Sequence, residues 1–198
     1  MRKMIVTLAV LGLAWLAYVA WPLYDLYVLV RAFETRDVAT VTRHVYFQSV
    51  RRSLAEQVVA AYVRRTGVQV SPLVRGMAGA AFAVADPVVG KVISPEALSQ
   101  FLTAGWPVTV VPDVPRDAVG ISSRTLGNAW QLFVASEYGF GRFSVSLPRS
   151  LSPPRRFGLE LRLLRWRWRL TAIILPEAVQ DVLADELAKL LKAPARRP

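Results

Sequence analysis

Between Lys3 and Asp25 the chain carries no charged side chain. The 21 residues of that gap, Met4 to Tyr24, rise about 1.5 Å each as a helix and so reach the roughly 30 Å of a bilayer's hydrocarbon layer. Such a stretch spans a membrane or forms the apolar part of a cleaved leader, and Arg2 and Lys3 ahead of it suit either. Cleavage wants small residues at both positions of an A-x-A-like site. A cut after Ala20 finds Tyr18, and a cut after Ala17 finds Trp15. A cut after Ala14, with Gly12 before it, leaves the apolar stretch near the short end. The expectation is an uncleaved signal-anchor, a transmembrane helix over residues 1–24.

Trp15, Tyr18, Trp21 and Tyr24 gather at the far end of this segment, where amphipathic rings favour the headgroup layer, and are the expected membrane-interface aromatics. Arg2, Lys3 and the amino terminus precede the span, while Asp25, Arg31, Glu34 and Arg36 nearly cancel after it. The positive-inside rule then puts the N-terminus in the cytoplasm and the rest of the chain in the periplasm, as a single-pass inner-membrane protein.

A chain of 198 residues can bury one real core, so residues 25–192 are expected to form one domain. There is no cysteine, which removes disulfides, thiolate catalysis and the usual structural zinc sites. The net charge is +11, and 21 of the 25 basic residues are arginine. Residues 142–169 hold eight arginines against one glutamate, and residues 31–75 hold eight against three acids. A basic face follows, with attraction to anionic surfaces at low salt.

After the anchor the pattern has helical period. Pro22 opens a new helix or kinks a continuing one, and Leu23, Leu26, Tyr27, Val30 and Phe33 fall near one face. Asp37 caps a short helix ending near His44. Phe47, Val50, Leu54, Val58 and Ala61 recur at steps of three and four, an amphipathic helix that breaks at Gly67. Ser71 and Pro72 open a run of small apolar residues that reads as a buried helix. In "SPEALSQFLTAG" Ser94 is the cap, Pro95 the first turn and Gly105 the stop. Residues 25–105 are thus a helical region, and residues 106–129 a proline-rich connector with a short strand at Val108 to Val111.

Beyond the connector the period becomes two. "WQLFVASEY" and "RFSVSLP" read as a hairpin turned by Gly139 and Gly141. In "LRLLRWRWRLTAI" the apolar positions are odd at Leu159, Leu161 and Leu163, then even at Trp166, Trp168, Leu170 and Ala172. A pattern that inverts once marks a chain reversal. A two-residue turn at Leu164 and Arg165 would set Leu163 opposite Trp166, Leu161 opposite Trp168, Arg162 opposite Arg167 and Glu160 opposite Arg169. Tryptophans and arginines then occupy opposite faces, which is wrong for a single-strand nucleic-acid binder, whose rings and cations share one surface. Arg162, Arg165, Arg167 and Arg169 remain a candidate contact for an anionic surface, either lipid headgroups or an acidic partner. A last amphipathic helix after Pro176 carries Val179, Val182, Leu183, Leu187 and Leu190 as its apolar stripe, and residues 193–198 form a basic tail. The fold class is α+β: an N-terminal transmembrane helix, a helical first half, then a small antiparallel sheet of about four strands and a C-terminal helix across 130–192.

The stretches "VRAFETRDVATVTRHVYFQSVRRSLAEQ", "VADPVVGKVISPEALSQFLTAG" and "WRLTAIILP" together resemble the bacterial domain-of-unknown-function family 2939. The resemblance implies a short envelope-type protein with an N-terminal apolar segment, a helical first half and a small sheet. It carries over no catalytic residue. The chain departs from the family's pattern at Arg36 and near Leu163, where glycine is expected, and at Tyr46, where an acid is. "WRLTAI" is also similar to the last strand of nuclear-transport-factor-2-like folds, a likeness of fold alone.

Chemistry is sparse. The single histidine, His44, has no triad around it, and "GISSR" at 120–124 lacks the glycine of a nucleophile elbow. No phosphate loop, dinucleotide fingerprint, zinc-protease motif or EF-hand loop occurs, so no cofactor and no metal are expected. Asp113 with Asp117, and Asp181 with Asp185 and Glu186, read as solvated acids. The expected role is a membrane-anchored, non-enzymatic envelope module that binds a protein partner, lipid or other apolar ligand. The alternative is an enzyme with an acid-based pocket between sheet and helices, and nucleic-acid binding stands behind both. A deep pocket lined by Trp166, Trp168 and a buried acid would favour the enzyme, whereas a filled core with an exposed apolar patch would favour the module.

Overall fold

The computed structural model describes residues 2–67, 85–86, 88–112, 118, 120–124, 126, 132–134, 136–147, 151–152 and 155–192. The run opened by Ser71 and Pro72, the pair Asp113 and Asp117, and the basic tail lie outside them.

Helix α1 (Arg2–Thr35) runs unbroken through Pro22. Proline lacks the N–H that would bond the carbonyl four residues back, that of Tyr18, yet the helix continues because its second half is gripped by the domain. Pro22, Leu26, Leu29, Val30, Ala32 and Phe33 are buried on one face. Residues 2–17 are exposed all round. The helix ends in a Schellman motif with Arg36 left-handed at φ 55°: the Arg36 N–H bonds the Phe33 carbonyl at 3.3 Å, and the Asp37 N–H bonds the Ala32 carbonyl at 2.9 Å. This is the position where the family resemblance implies glycine.

Asp37 caps α2 (Val38–His44) by accepting from the Thr40 N–H at 3.1 Å. Helix α3 (Phe47–Thr66) buries Val50, Leu54, Ala55, Val58 and Ala61 and stops at Gly67, which is left-handed. Helix α4 (Pro95–Ala104) has Ser94 as its cap, Pro95 in its first turn and left-handed Gly105 as its stop, as its sequence requires.

Four strands form an antiparallel meander in the order β1 (Ser136–Gly139), β2 (Arg142–Leu147), β3 (Phe157–Leu164), β4 (Arg167–Ile174). The α+β class expected from the sequence is the observed one. The β4 edge is closed by the helical half. The Tyr46 N–H bonds the Leu170 carbonyl at 2.8 Å, and the Gln57 amide donates to the Ile173 carbonyl at 2.7 Å while accepting from the Leu175 N–H at 2.8 Å. One side chain thus supplies both ladder bonds of a missing strand. Helix α5 (Glu177–Lys192) lies along α3, where Arg64 and Arg65 reach Asp181 and Asp185 at 3.1–3.6 Å. The buried apolar side chains of all these elements join in one cluster, with Trp168, Phe33, Phe101, Phe143 and Phe157 its largest fully buried members.

Several expectations are corrected. Leu132 to Val134 are helical, and the Ser136 hydroxyl closes that turn on the Leu132 carbonyl at 2.6 Å, so β1 is confined to the end of "WQLFVASEY". Val108 to Val111 form a turn that follows Pro107, whose carbonyl accepts from Val110 and Val111, and not a strand. Leu190 of the terminal helix is 43% exposed, because the sheet and α3 end before its last turn.

Candidate functional site

The β1–β2 turn (Phe140, Gly141) and the β3–β4 turn (Arg165, Trp166) lie side by side at one end of the sheet, joined by a bond from the Leu163 N–H to the Gly141 carbonyl at 2.9 Å. The second turn falls one residue later than the phase inversion placed it. Leu163 faces Trp168, Arg162 faces Arg169 and Leu161 faces Leu170. Trp166 is therefore not a core residue. It stands in the turn, 80% exposed. Both turn residues are left-handed, Arg165 at φ 51° and Trp166 at φ 62°. That is the geometry of a primed hairpin turn, which favours Asn-Gly because other side chains crowd the backbone at positive φ, at about 1–2 kcal/mol each. Phe140 of the neighbouring turn is fully exposed.

A bulge at Thr171 shifts the β4 pattern once more, so Trp168, Leu170 and Ile173 face the core. Glu160 consequently lies opposite Ala172 rather than Arg169. Its carboxylate, 11% exposed, accepts from Arg142 and from Arg162, each at 2.8 Å. It holds two guanidiniums on the outer face of the sheet. Arg169 faces Arg162 across the strands, half-buried, with its Nε unpartnered. Arg165 and Arg167 are exposed and make no ion pair with a described residue. The sheet thus brings Arg162, Arg165, Arg167 and Arg169 to one face and end, and adds Arg142, which sequence reasoning did not select.

Helix α1 meets this end directly. The Tyr18 ring lies 6.3 Å from that of Trp168, and its hydroxyl oxygen accepts from the Gly141 N–H at 3.1 Å. Trp15 and Tyr24 are 58% and 66% exposed, and Trp21 is borderline. Trp15 precedes Pro22 by seven residues, so it lies on the helix face that further along buries Pro22, Leu26 and Phe33. Asp25 follows the rings. Burial raises its carboxyl above the ordinary value, while His44, the Trp168 backbone, the Trp21 indole and the Arg167 guanidinium pull the other way.

A catalytic constellation is not assembled. His44 ends α2 with Nδ1 2.9 Å from the Thr40 carbonyl, and Asp181, Asp185 and Glu186 are taken up by Arg64, Arg65 and Lys189. The described residues hold no group of three acids or histidines able to bind a metal. A cleft of about 300 Å³ opens beside α5 and the start of β3, lined by Trp106, Leu151, Arg155, Phe157, Pro176 and Val179 among others. Among the described residues none of its wall is a carboxylate. Trp168 lies in the core, and Glu160, a buried acid, is held by Arg142 and Arg162.

Residues 11–101 match a family described as protein of unknown function, DUF2939. The match supports membership of DUF2939. It covers most of α1, all of α2 and α3 and most of α4, and contains two of the stretches on which the resemblance rested, the second as far as Phe101. The sheet with its arginines lies beyond the DUF2939 match. No curated protein matches the chain, and no solved structure does.

Phe140, Glu160 and Gly141 were missed as members of this site. The flanking glycines of Phe140 announced a turn, but a turn signal does not say which sheet end the loop shares. For Arg142 as a partner of Glu160, and Gly141 as a partner of Tyr18, no local signal exists, because each lies on another strand or turn.

Proposed function

We propose that this chain is a single-pass inner-membrane protein, N-terminus cytoplasmic, whose α+β domain stands in the periplasm as a non-enzymatic module binding an envelope protein or an apolar ligand. The observation that carries the reading is the exposed half of α1. It is one helix long and apolar enough to cross a membrane, and none of its most apolar 18-residue stretch is buried. Leaving side chains such as Met4, Ile5, Leu8, Leu11 and Leu13 more than half exposed in water forfeits about 1.5–3 kcal/mol for each large one, and hydrocarbon removes that penalty. A secretory leader would share these properties, but its cleavage site is poor at every small residue near the end of the run.

Two features of the domain support a binding role: an apolar cleft lined by Trp106, Leu151, Phe157 and Val179, and a basic sheet face. Reporter fusions after Tyr24 and at the C-terminus test the reading. An export-dependent reporter is expected to be active at both sites, with the product retained in carbonate-washed membranes. Activity of a cytoplasmic reporter at the C-terminus, or release of a shortened soluble chain, overturns it.

A further inference from the structure

We infer that the hairpin end of the sheet is itself a membrane contact, in which Phe140 and Trp166 enter the interface of anionic lipid while Arg165 and Arg167 bind headgroup phosphates. This rests on the anchor reading above and deepens it.

The geometry of the anchor forces the contact. From Met4 to Tyr18 the helix rises about 21 Å, while the hydrocarbon layer is about 30 Å thick. With Arg2 and Lys3 held at the inner face, Tyr18 sits about 9 Å below the outer hydrocarbon boundary, and any tilt of the helix deepens it. Yet Tyr18 is bonded to Gly141 and packed on Trp168. The sheet end cannot stand clear of the bilayer while its fastening lies within it.

The residues at that end suit the place. Phe140 is fully exposed and Trp166 is 80% exposed, on adjacent turns, and Trp15, one helical turn before Tyr18, is 58% exposed. An indole with one wet edge favours the headgroup layer. Arg165 and Arg167 flank Trp166, Arg167 lying within electrostatic reach of Asp25 without an ion-pair contact, and their long side chains can reach phosphates from a backbone lying deeper. The left-handed turn that closes the β3–β4 hairpin holds Arg165 and Trp166 outward together.

The absence of cysteine makes the test direct. Single nitroxide labels at Val10→Cys, Phe140→Cys, Trp166→Cys and Ser152→Cys in the full chain are compared in vesicles of phosphatidylethanolamine with phosphatidylglycerol, using oxygen and a water-soluble nickel complex as collision partners. The expected order is position 10 deep, 140 and 166 at the headgroup boundary, and 152 aqueous. Labels at 140 and 166 as aqueous as at 152, with 10 still deep, overturn this inference and leave the anchor standing. An aqueous label at 10 removes the anchor and this contact with it. Replacing phosphatidylglycerol by phosphatidylcholine, or introducing Arg165→Gln with Arg167→Gln, is expected to shift 140 and 166 outward. No shift in either overturns the anionic part.

Discussion

The phenolic oxygen of Tyr18 accepts a hydrogen bond from the backbone N–H of Gly141 at 3.1 Å, joining the membrane helix to a hairpin turn 123 residues further along the chain. A ring suited to a headgroup layer is here a fastening between helix and sheet. Tyr18→Phe keeps the ring against Trp168 but leaves the Gly141 N–H without its acceptor. A loss of about 1 kcal/mol is expected. Hydrogen exchange at Gly141 should quicken in the variant while that of β3 stays unchanged.

Gln57→Leu is expected to cost more. The amide serves the Ile173 carbonyl and the Leu175 N–H together, and leucine leaves both unpaired at the edge of β4, a loss of about 2–4 kcal/mol. Chemical denaturation of the full chain in detergent would measure it. Gln57→Glu separates the two bonds, since a carboxylate still accepts from Leu175 but cannot donate to Ile173 when ionised. Its loss should diminish as the acid is protonated.

Arg36→Gly is expected to stabilise the domain by about 1 kcal/mol, because Arg36 occupies a left-handed cap at φ 55° that glycine takes without crowding. The same reasoning applied to Arg165→Asn with Trp166→Gly gives a gain of about 1–2 kcal/mol. The two differ in a second readout. The cap variant should leave vesicle association of the sheet end unaltered, whereas the turn variant should weaken it.

Glu34 accepts from the Ser123 N–H at 2.6 Å and lies beside Arg31, and the Ser123 bond, outweighing burial and helped by Arg31, holds its carboxyl below the ordinary glutamate value. A depressed folded value means that its contribution is fully present above the unfolded value and disappears as pH falls through the folded one. Glu34→Gln is therefore expected to be less stable than the parent at neutral pH, with the gap closing below about pH 4.5. Thermal melts of both proteins across that range would show it, and a gap constant with pH would refute the assignment.

The helices with local punctuation were legible before any tertiary contact was known. Ser94, Pro95 and Gly105 bracket α4, and Asp37 opens α2, because a cap bonds within its own turn. Phase inversion revealed the β3–β4 reversal, but placed it one residue early. Arg165 and Trp166 carry none of the glycine or asparagine chemistry that fixes a turn, and the phase alone locates a reversal only to within a residue. The bulge at Thr171 was equally silent, and with it the partner of Glu160 changed.

By itself the sequence determined the apolar reach of the first helix, the α+β order of elements and the outward cast of the arginines. Those follow from composition and from periods of 3.6 and two, which act over a few residues. Only the tertiary structure decided that Tyr18 is bound to the sheet, that Gln57 closes the edge of β4 and that Phe140 and Trp166 share one end. Such pairings join groups more than a hundred residues apart or on separate hairpins, and are selected by the packing of whole surfaces rather than by any pattern along the chain.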